Sequence, residues 1–188
     1  STRSGGFDIW RMDANGDHPT QLTFGKENYQ PTISPDSLFV YYKSLVNKVG
    51  ELRRISIDGG ESVALTDKET SWSCVSPDGK FIAALYRTDK RNLAILPISG
   101  GQPLKLFDIP KSGTTYGGIR WTPDGKAIVY YDANYGYWKQ SIEGGEPNRI
   151  ENLPKERLYN FAWSNDGKQF AFVRGQEIRD VVLITDAK

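Results

Sequence analysis

Asp13, Asn15 and Asp17 alternate as the first ligands of a calcium loop do. Such a loop continues with glycine at its sixth position and an acidic residue at its twelfth. His18 and Phe24 stand there instead, so the stretch reads as a hairpin turn. A second set of carboxylates, Asp36, Asp78, Asp124 and Asp166, recurs along the chain and resembles a catalytic group only at first sight. Each sits two residues after a Ser or Thr in the same kind of turn, where an Asp side chain bonds its own backbone. Cys74 is the one cysteine and His18 the one histidine. No intrachain disulfide can form, and a zinc site of the Cys/His type lacks ligands. A Ser-His-Asp triad would have to use His18, which falls in a predicted turn. Cys74 reads as a buried or channel-lining thiol, since no neighbouring base argues for a nucleophile. These residues imply no metal and no cofactor, and the chain is expected not to be an enzyme.

The elements that carry these residues repeat. Ser34-Pro35-Asp36-Ser37, Ser76-Pro77-Asp78-Gly79, Thr122-Pro123-Asp124-Gly125 and Ser164-Asn165-Asp166-Gly167 begin 42, 46 and 42 residues apart. Out of phase with them run Asp58-Gly59-Gly60, Ser99-Gly100-Gly101 and Glu143-Gly144-Gly145, 41 and 44 residues apart, with Asn15-Gly16 upstream. Two turn motifs keeping one period of about 40–45 residues mark the blades of a β-propeller. The fold class is therefore all-β: a propeller of four-stranded antiparallel blades, about four of them, with the first and last incomplete.

Within each repeat four short strands are predicted. The first ends on Ile33, Val75, Trp121 or Trp163, just before the turn. The second follows at once, from Phe39, Phe81, Ala127 and Phe170, as a nearly unbroken apolar run expected to be covered on both faces. The third alternates more (Leu52 to Ile57, Leu93 to Ile98, Tyr137 to Ile142) and ends in the Gly-Gly hairpin turn. The fourth is short and polar, as suits an outer edge, with one apolar anchor each: Leu22, Leu65, Leu106, Ile150. Helical periodicity is nearly absent, and Lys155 to Leu158 is too short to matter.

The expected division of 1–188 is 1–24 for the third and fourth strands of an incomplete blade, 29–66, 72–107 and 117–151 for whole blades, and 160–188 for a three-stranded last blade ending on Val181 to Ile184. The chain is expected to be the C-terminal part of a longer propeller, with closure through a second copy and an open arc as the alternatives. Lys plus Arg number 24 and Asp plus Glu 23, a net charge of +1, so nothing electrostatic points to nucleic acid or an anionic membrane. Hydrophobic residues at 38% and aromatics at 12% suit a strand-rich globular protein. No apolar run approaches the roughly 20 residues of a membrane helix.

Trp121 to Lys126 and Trp163 to Lys168, together with Asp8-Ile9-Trp10-Arg11-Met12-Asp13 and Gln21-Leu22-Thr23, resemble the repeat of TolB-like propellers, and the likeness covers almost the whole chain. It is specific for fold and weak for function. It implies a periplasmic or otherwise extracytoplasmic location and protein partners, since the family's namesake binds lipoprotein and colicin partners in the periplasm. The same repeats occur in propellers fused to bacterial serine/threonine kinases, where a ligand-sensing role would follow, and as gating propellers of prolyl-oligopeptidase-type enzymes. Arg179 to Ile184 looks like the end of a kinase-linked or free-standing propeller. Two turns depart mildly from the pattern: Ser37 replaces Gly and Asn165 replaces Pro.

In a propeller the loops after the fourth and second strands share one face, which usually carries binding. Here those loops carry Tyr29, Trp72, Tyr116, Arg157 and Tyr159, and Arg87, Arg91 and Tyr135. Tyr, Trp and Arg are the types enriched in interaction hot spots. Recurrence of the aromatics once per repeat also fits a structural rim. Arg120 stands in an innermost strand where the other repeats have Thr32, Cys74 and Ala162, and is expected to point into the central channel and meet an anion, a carboxylate or a structural ion-pair partner. The leading expectation is a non-enzymatic module for a protein or peptide partner.

Overall fold

The computed structural model describes residues 1–25, 27–109, 118–131, 136–151, 157–164 and 166–175. All regular structure among these residues is strand. A short ladder pairs β1 (Trp10–Arg11) with β2 (Thr20–Gln21). Three four-stranded antiparallel sheets follow, each in simple chain order. The first holds β3 (Asn28–Ile33), β4 (Phe39–Val46), β5 (Val49–Ser56) and β6 (Val63–Ala64). The second holds β7 (Thr70–Val75), β8 (Phe81–Arg87), β9 (Arg91–Pro97) and β10 (Lys105–Asp108). The third holds β11 (Ile119–Trp121), β12 (Ala127–Tyr131), β13 (Tyr137–Ser141) and β14 (Asn148–Arg149). A last pair joins β15 (Arg157–Trp163) to β16 (Phe170–Gly175). The expected strand over Val181 to Ile184 lies outside the described residues.

The turns between first and second strands share one hydrogen-bond circuit. The hydroxyl of Ser34, Ser76, Thr122 or Ser164 donates to Oδ1 of the Asp two residues on, at 2.5–2.6 Å. The same hydroxyl accepts the amide of Phe39, Phe81, Ala127 or Gln169 at 2.9–3.0 Å. The Asp oxygen in turn accepts the amide of Leu38, Lys80, Lys126 or Lys168. The repeating carboxylates are thus structural. Each is held below the ordinary carboxylate range, first by the hydroxyl and then by that amide. A depressed folded-state pKa stabilises the fold where the carboxylate is ionised, and that contribution is lost as pH falls through the lowered value.

Side-chain alternation then stacks the sheets. In β8, Ile82, Ala84 and Tyr86 face the preceding sheet and join Tyr41, Leu52 and Leu65, while Ala83 and Leu85 face the following one and join Ile119, Trp121, Ile128 and Tyr130. β4 divides likewise, with Val40 and Tyr42 toward Ile9 and Leu22, and Tyr41 forward. β12 sends Val129 and Tyr131 toward Phe161. The unbroken apolar runs are therefore two interleaved half-cores of period 2. Alanines on one sheet admit large rings from the next, so Ala84 lies in the cluster with Tyr41, and Ala83 in that with Trp121 and Tyr130.

A threonine follows the leucine anchor at Leu22-Thr23 and Leu65-Thr66, and its hydroxyl has a structural role. The hydroxyl of Thr23 accepts the amide of Ile9 at 2.9 Å, and that of Thr66 accepts the amide of Leu52 at 3.0 Å. Each fastens the fourth strand to the start of the third where the ladder ends. The anchors Leu22 and Leu65 are buried as expected. Leu106 is not: it is 47% exposed, and Phe107, opposite Leu93, packs on the core in its place. The sequence offers two adjacent apolar residues there, and strand alternation admits only one.

Ser37 occupies the last turn position with φ 62°, where Gly79, Gly125 and Gly167 have φ 72°, 67° and 69°. A left-handed non-glycine residue costs about 1–2 kcal/mol, and glycine's extra unfolded-state freedom returns about 0.5–1 kcal/mol of the relief. Ser37→Gly is expected to stabilise the protein by about 0.5–1 kcal/mol, read as a higher urea midpoint at unchanged slope. An unchanged or lower midpoint would show that this turn is not strained.

Candidate functional site

The innermost strands do not run straight. β3 is bulged between Tyr29 and Thr32, and β7 between Ser71 and Cys74, so two residues oppose one on the second strand. The residue that opens each bulge is left-handed: Gln30 at φ 54° and Trp72 at φ 52°. Gly118, three residues before Trp121 as Trp72 is before Val75, has φ 87°. A left-handed tryptophan is an outlier of the kind that persists only where its surroundings hold it, at a cost of about 1–3 kcal/mol.

Those surroundings are specific. The Trp72 amide, taken out of the ladder by the bulge, donates to Gln30 Oε1 of the preceding sheet at 2.9 Å. The Trp72 ring packs at the edge of the core shared with the next sheet. A Cβ on Gly118 would lie 3.6 Å from Trp72 Cε3 and 3.0 Å from Arg120 Nη1, so glycine supplies both the backbone angle and the close approach. Ile119 and Trp121 face the preceding sheet, and Trp121 Nε1 donates to the Cys74 carbonyl at 3.1 Å. Arg120 therefore leaves β11 toward β15. Its Nη1 donates to the Ile119 carbonyl at 2.9 Å, its Nη2 reaches Asn160 Oδ1 at 3.4 Å, and its guanidinium carbon is 5.9 Å from the Phe161 ring centre. Arg120 is half-buried between two inner strands.

Gln30, Trp72, Gly118 with Arg120, and Asn160 thus form an arc in which each inner strand is linked to the next. Trp72 and Arg120 are the expected site residues that this arc brings together. Tyr29 stands apart, its ring 5.2 Å from that of Phe7. By pairing register its counterpart is Ser71, and the counterpart of Trp72 is Gln30, so these two aromatics do not recur at one position. Arg87 and Arg91 both approach Glu69, at 3.3 and 3.9 Å, and fasten the incoming loop of their own sheet to its hairpin. Tyr116 and Tyr135 lie outside the described residues; Arg157 and Tyr159 are placed in β15 by backbone alone. Gln30 and Asn160 were missed because amide side chains carry no signal until register aligns them with Trp72.

Two clefts of about 700 and 870 Å³ flank β1, lined by Trp10, Met12 and Pro31 in common. β1 has β2 on one side and no ladder partner on the other among the described residues, which leaves Ile33 57% exposed where its counterpart Trp121 is buried. The first cleft also carries Arg3, Asp8, Arg11 and Lys43, and the second Arg11, Asp13 and His18. In the first hairpin His18 Nδ1 lies 2.8 Å from Asp13 Oδ2 and Asn15 Nδ2 donates to Asp17 Oδ2, all exposed. Among the described residues no group of three or more His, Cys, Asp and Glu could hold a metal.

No protein-family model matches the chain. A TolB from Acinetobacter baumannii superposes with TM-score 0.77 over 89% of this chain and 43% of its own, at 21% identity. The chain has the TolB-like β-propeller fold. A hydrazine synthase of Kuenenia stuttgartiensis (TM-score 0.66, 19% identity, 88% of this chain and 55% of that one) has a similar architecture. So does a chain of a nidogen/laminin complex (TM-score 0.66, 14% identity, 87% and 63%). An uncharacterized protein of Agrobacterium fabrum is 29% identical over 136 residues, 66% of this chain and 46% of that protein. The TolB-like chain thus spans less than half the length of that relative and of the Acinetobacter protein.

Cys74 sits behind this arc, 7% exposed, and burial pushes its thiol up to about 12, against a smaller opposing pull from the Arg120 charge. In native protein at pH 8 it is expected not to react with a chromogenic disulfide, whereas in urea one thiol per chain should react. Fast native labelling would contradict the packing of β7 against β11.

Proposed function

We propose that this propeller is a non-enzymatic binding module that takes a protein or peptide partner on the inner-strand arc of Trp72 and Arg120 and the loop face beside it. The observation that carries this reading is the bulge at Trp72. A fold with regular strands available keeps a large aromatic in a disfavoured backbone state, half-buried, beside a half-buried arginine. Strain of this kind gathers at binding sites, and Trp and Arg are the side chains that anchor interfaces.

The non-enzymatic reading draws support from the chemistry-bearing residues. Cys74 is buried with a raised pKa, and His18 is exposed on a hairpin with Asp13 as its partner. The neighbour taken from a nidogen/laminin complex is a propeller-type chain in a protein assembly, which agrees with the proposed use. With the TolB-like repeat, the reading extends to an extracytoplasmic setting. No helix among the described residues is long and apolar enough to cross a membrane.

A random-peptide phage library panned on the immobilised 188-residue chain tests the module. Enriched sequences are expected to lose about tenfold or more in affinity on Trp72→Ala, the loss typical of a hot-spot aromatic, while the melting temperature of the variant stays within a few degrees. No enrichment, or equal binding to the variant, overturns the proposal.

A further inference from the structure

Resting on that reading of the arc, we infer that Arg120 is the anchor for a carboxylate, so that the partner presents an acidic side chain between Trp72 and β15. A guanidinium has five N–H donors in a fixed fork. Arg120 commits one on Nη1 to the Ile119 carbonyl and one on Nη2 to Asn160, the latter long at 3.4 Å. Among the described residues the other three have no acceptor, and Arg120 is in none of the ion pairs formed there. Arg11, Arg53, Arg87 and Arg91 each have a carboxylate partner.

The neighbourhood selects the class of anion. Arg120 is the one cation of the arc, with Trp72 near one side through Gly118, and the Phe161 ring and a neutral amide on the other. A phosphate carries nearly two charges and is matched by a cluster of arginines, whereas the arc holds a single cation. A carboxylate carries one charge, matches the guanidinium fork in a bidentate pair, and brings an aliphatic stem that can lie on an indole. Partial burial makes the pair stronger than a surface ion pair, since solvent screens it less. The Asn160 oxygen also accepts the Phe161 amide at 2.9 Å, so the far side of the fork is fixed in place before a ligand arrives.

The test uses the 188-residue chain and two blocked pentapeptides, acetyl-Ala-Ala-Glu-Ala-Ala-amide and its Gln counterpart, with Trp emission and calorimetry as readouts. The Glu peptide is expected to bind about tenfold or more tighter than the Gln peptide, as loss of a charged hydrogen-bond pair implies. Arg120→Met should abolish that preference and Arg120→Lys should keep part of it, with circular dichroism and melting unchanged. Equal affinity for the two peptides, no binding of either, or an undiminished preference in Arg120→Met overturns the carboxylate assignment. Phage-selected peptides that depend on Trp72 but bind equally in acidic and amide forms would overturn it while leaving the binding module standing.

Discussion

A second strand that is apolar on both faces cannot be satisfied by its own sheet. Each of β4, β8 and β12 carries two opposed apolar faces, and a single four-stranded sheet covers neither. The sheets must stack in series, with every strand residue assigned by parity to the neighbour before or the neighbour after. Everything else in the molecule serves that stacking. The Ser/Thr-x-Asp circuit fixes where the second strand begins, and hence which parity faces which neighbour; a slip of one residue would exchange the two half-cores. The hydroxyls of Thr23 and Thr66 close two of the outer ladders, and the short, polar outer strands leave little edge for unwanted pairing.

Stacking also shapes the inner surface. The first strands lie where successive sheets approach most closely, and β7 touches both β3 and β11. At the same place in the repeat Gln30 and Trp72 break the ladder with a left-handed residue, and Gly118 adopts the same conformation. The amide that one bulge releases is taken up by the side chain of the previous bulge, Gln30 to Trp72. The distortion is thus coupled from sheet to sheet, and it turns Trp72 and Arg120 toward one small region. Rigid sheets holding a strained, chemically mixed patch are a sound platform for recognition, because little further ordering is needed when a partner arrives.

The sequence made the fold legible through turns and runs. Ser76-Pro77-Asp78-Gly79 and its counterparts state the hydrogen bonds that the structure contains, and Phe81-Ile82-Ala83-Ala84 states a strand buried on both faces. What it hid depends on single-residue register. Leu106 and Phe107 are equally plausible anchors until the ladder to β9 decides. Tyr29 and Trp72 look like one recurring aromatic until pairing places Trp72 with Gln30. Arg87 and Arg91 look like unpaired cations until the fold brings Glu69, 18 and 22 residues earlier in the chain, against both. The site was half legible: Trp72 and Arg120 stood out by type, while Gln30, Gly118 and Asn160, which position them, are visible only through backbone angles and cross-sheet contacts.

The central claim, that serial stacking through two-faced second strands holds the molecule together, is tested most directly by native-state hydrogen exchange resolved to single amides. The account expects the amides of Val40 to Tyr42, Ile82 to Leu85 and Ile128 to Tyr130 to be the most protected and to open together, with β6, β10 and β14 exchanging much earlier. Second strands that open independently of one another, or that exchange as fast as the outer strands, would contradict it.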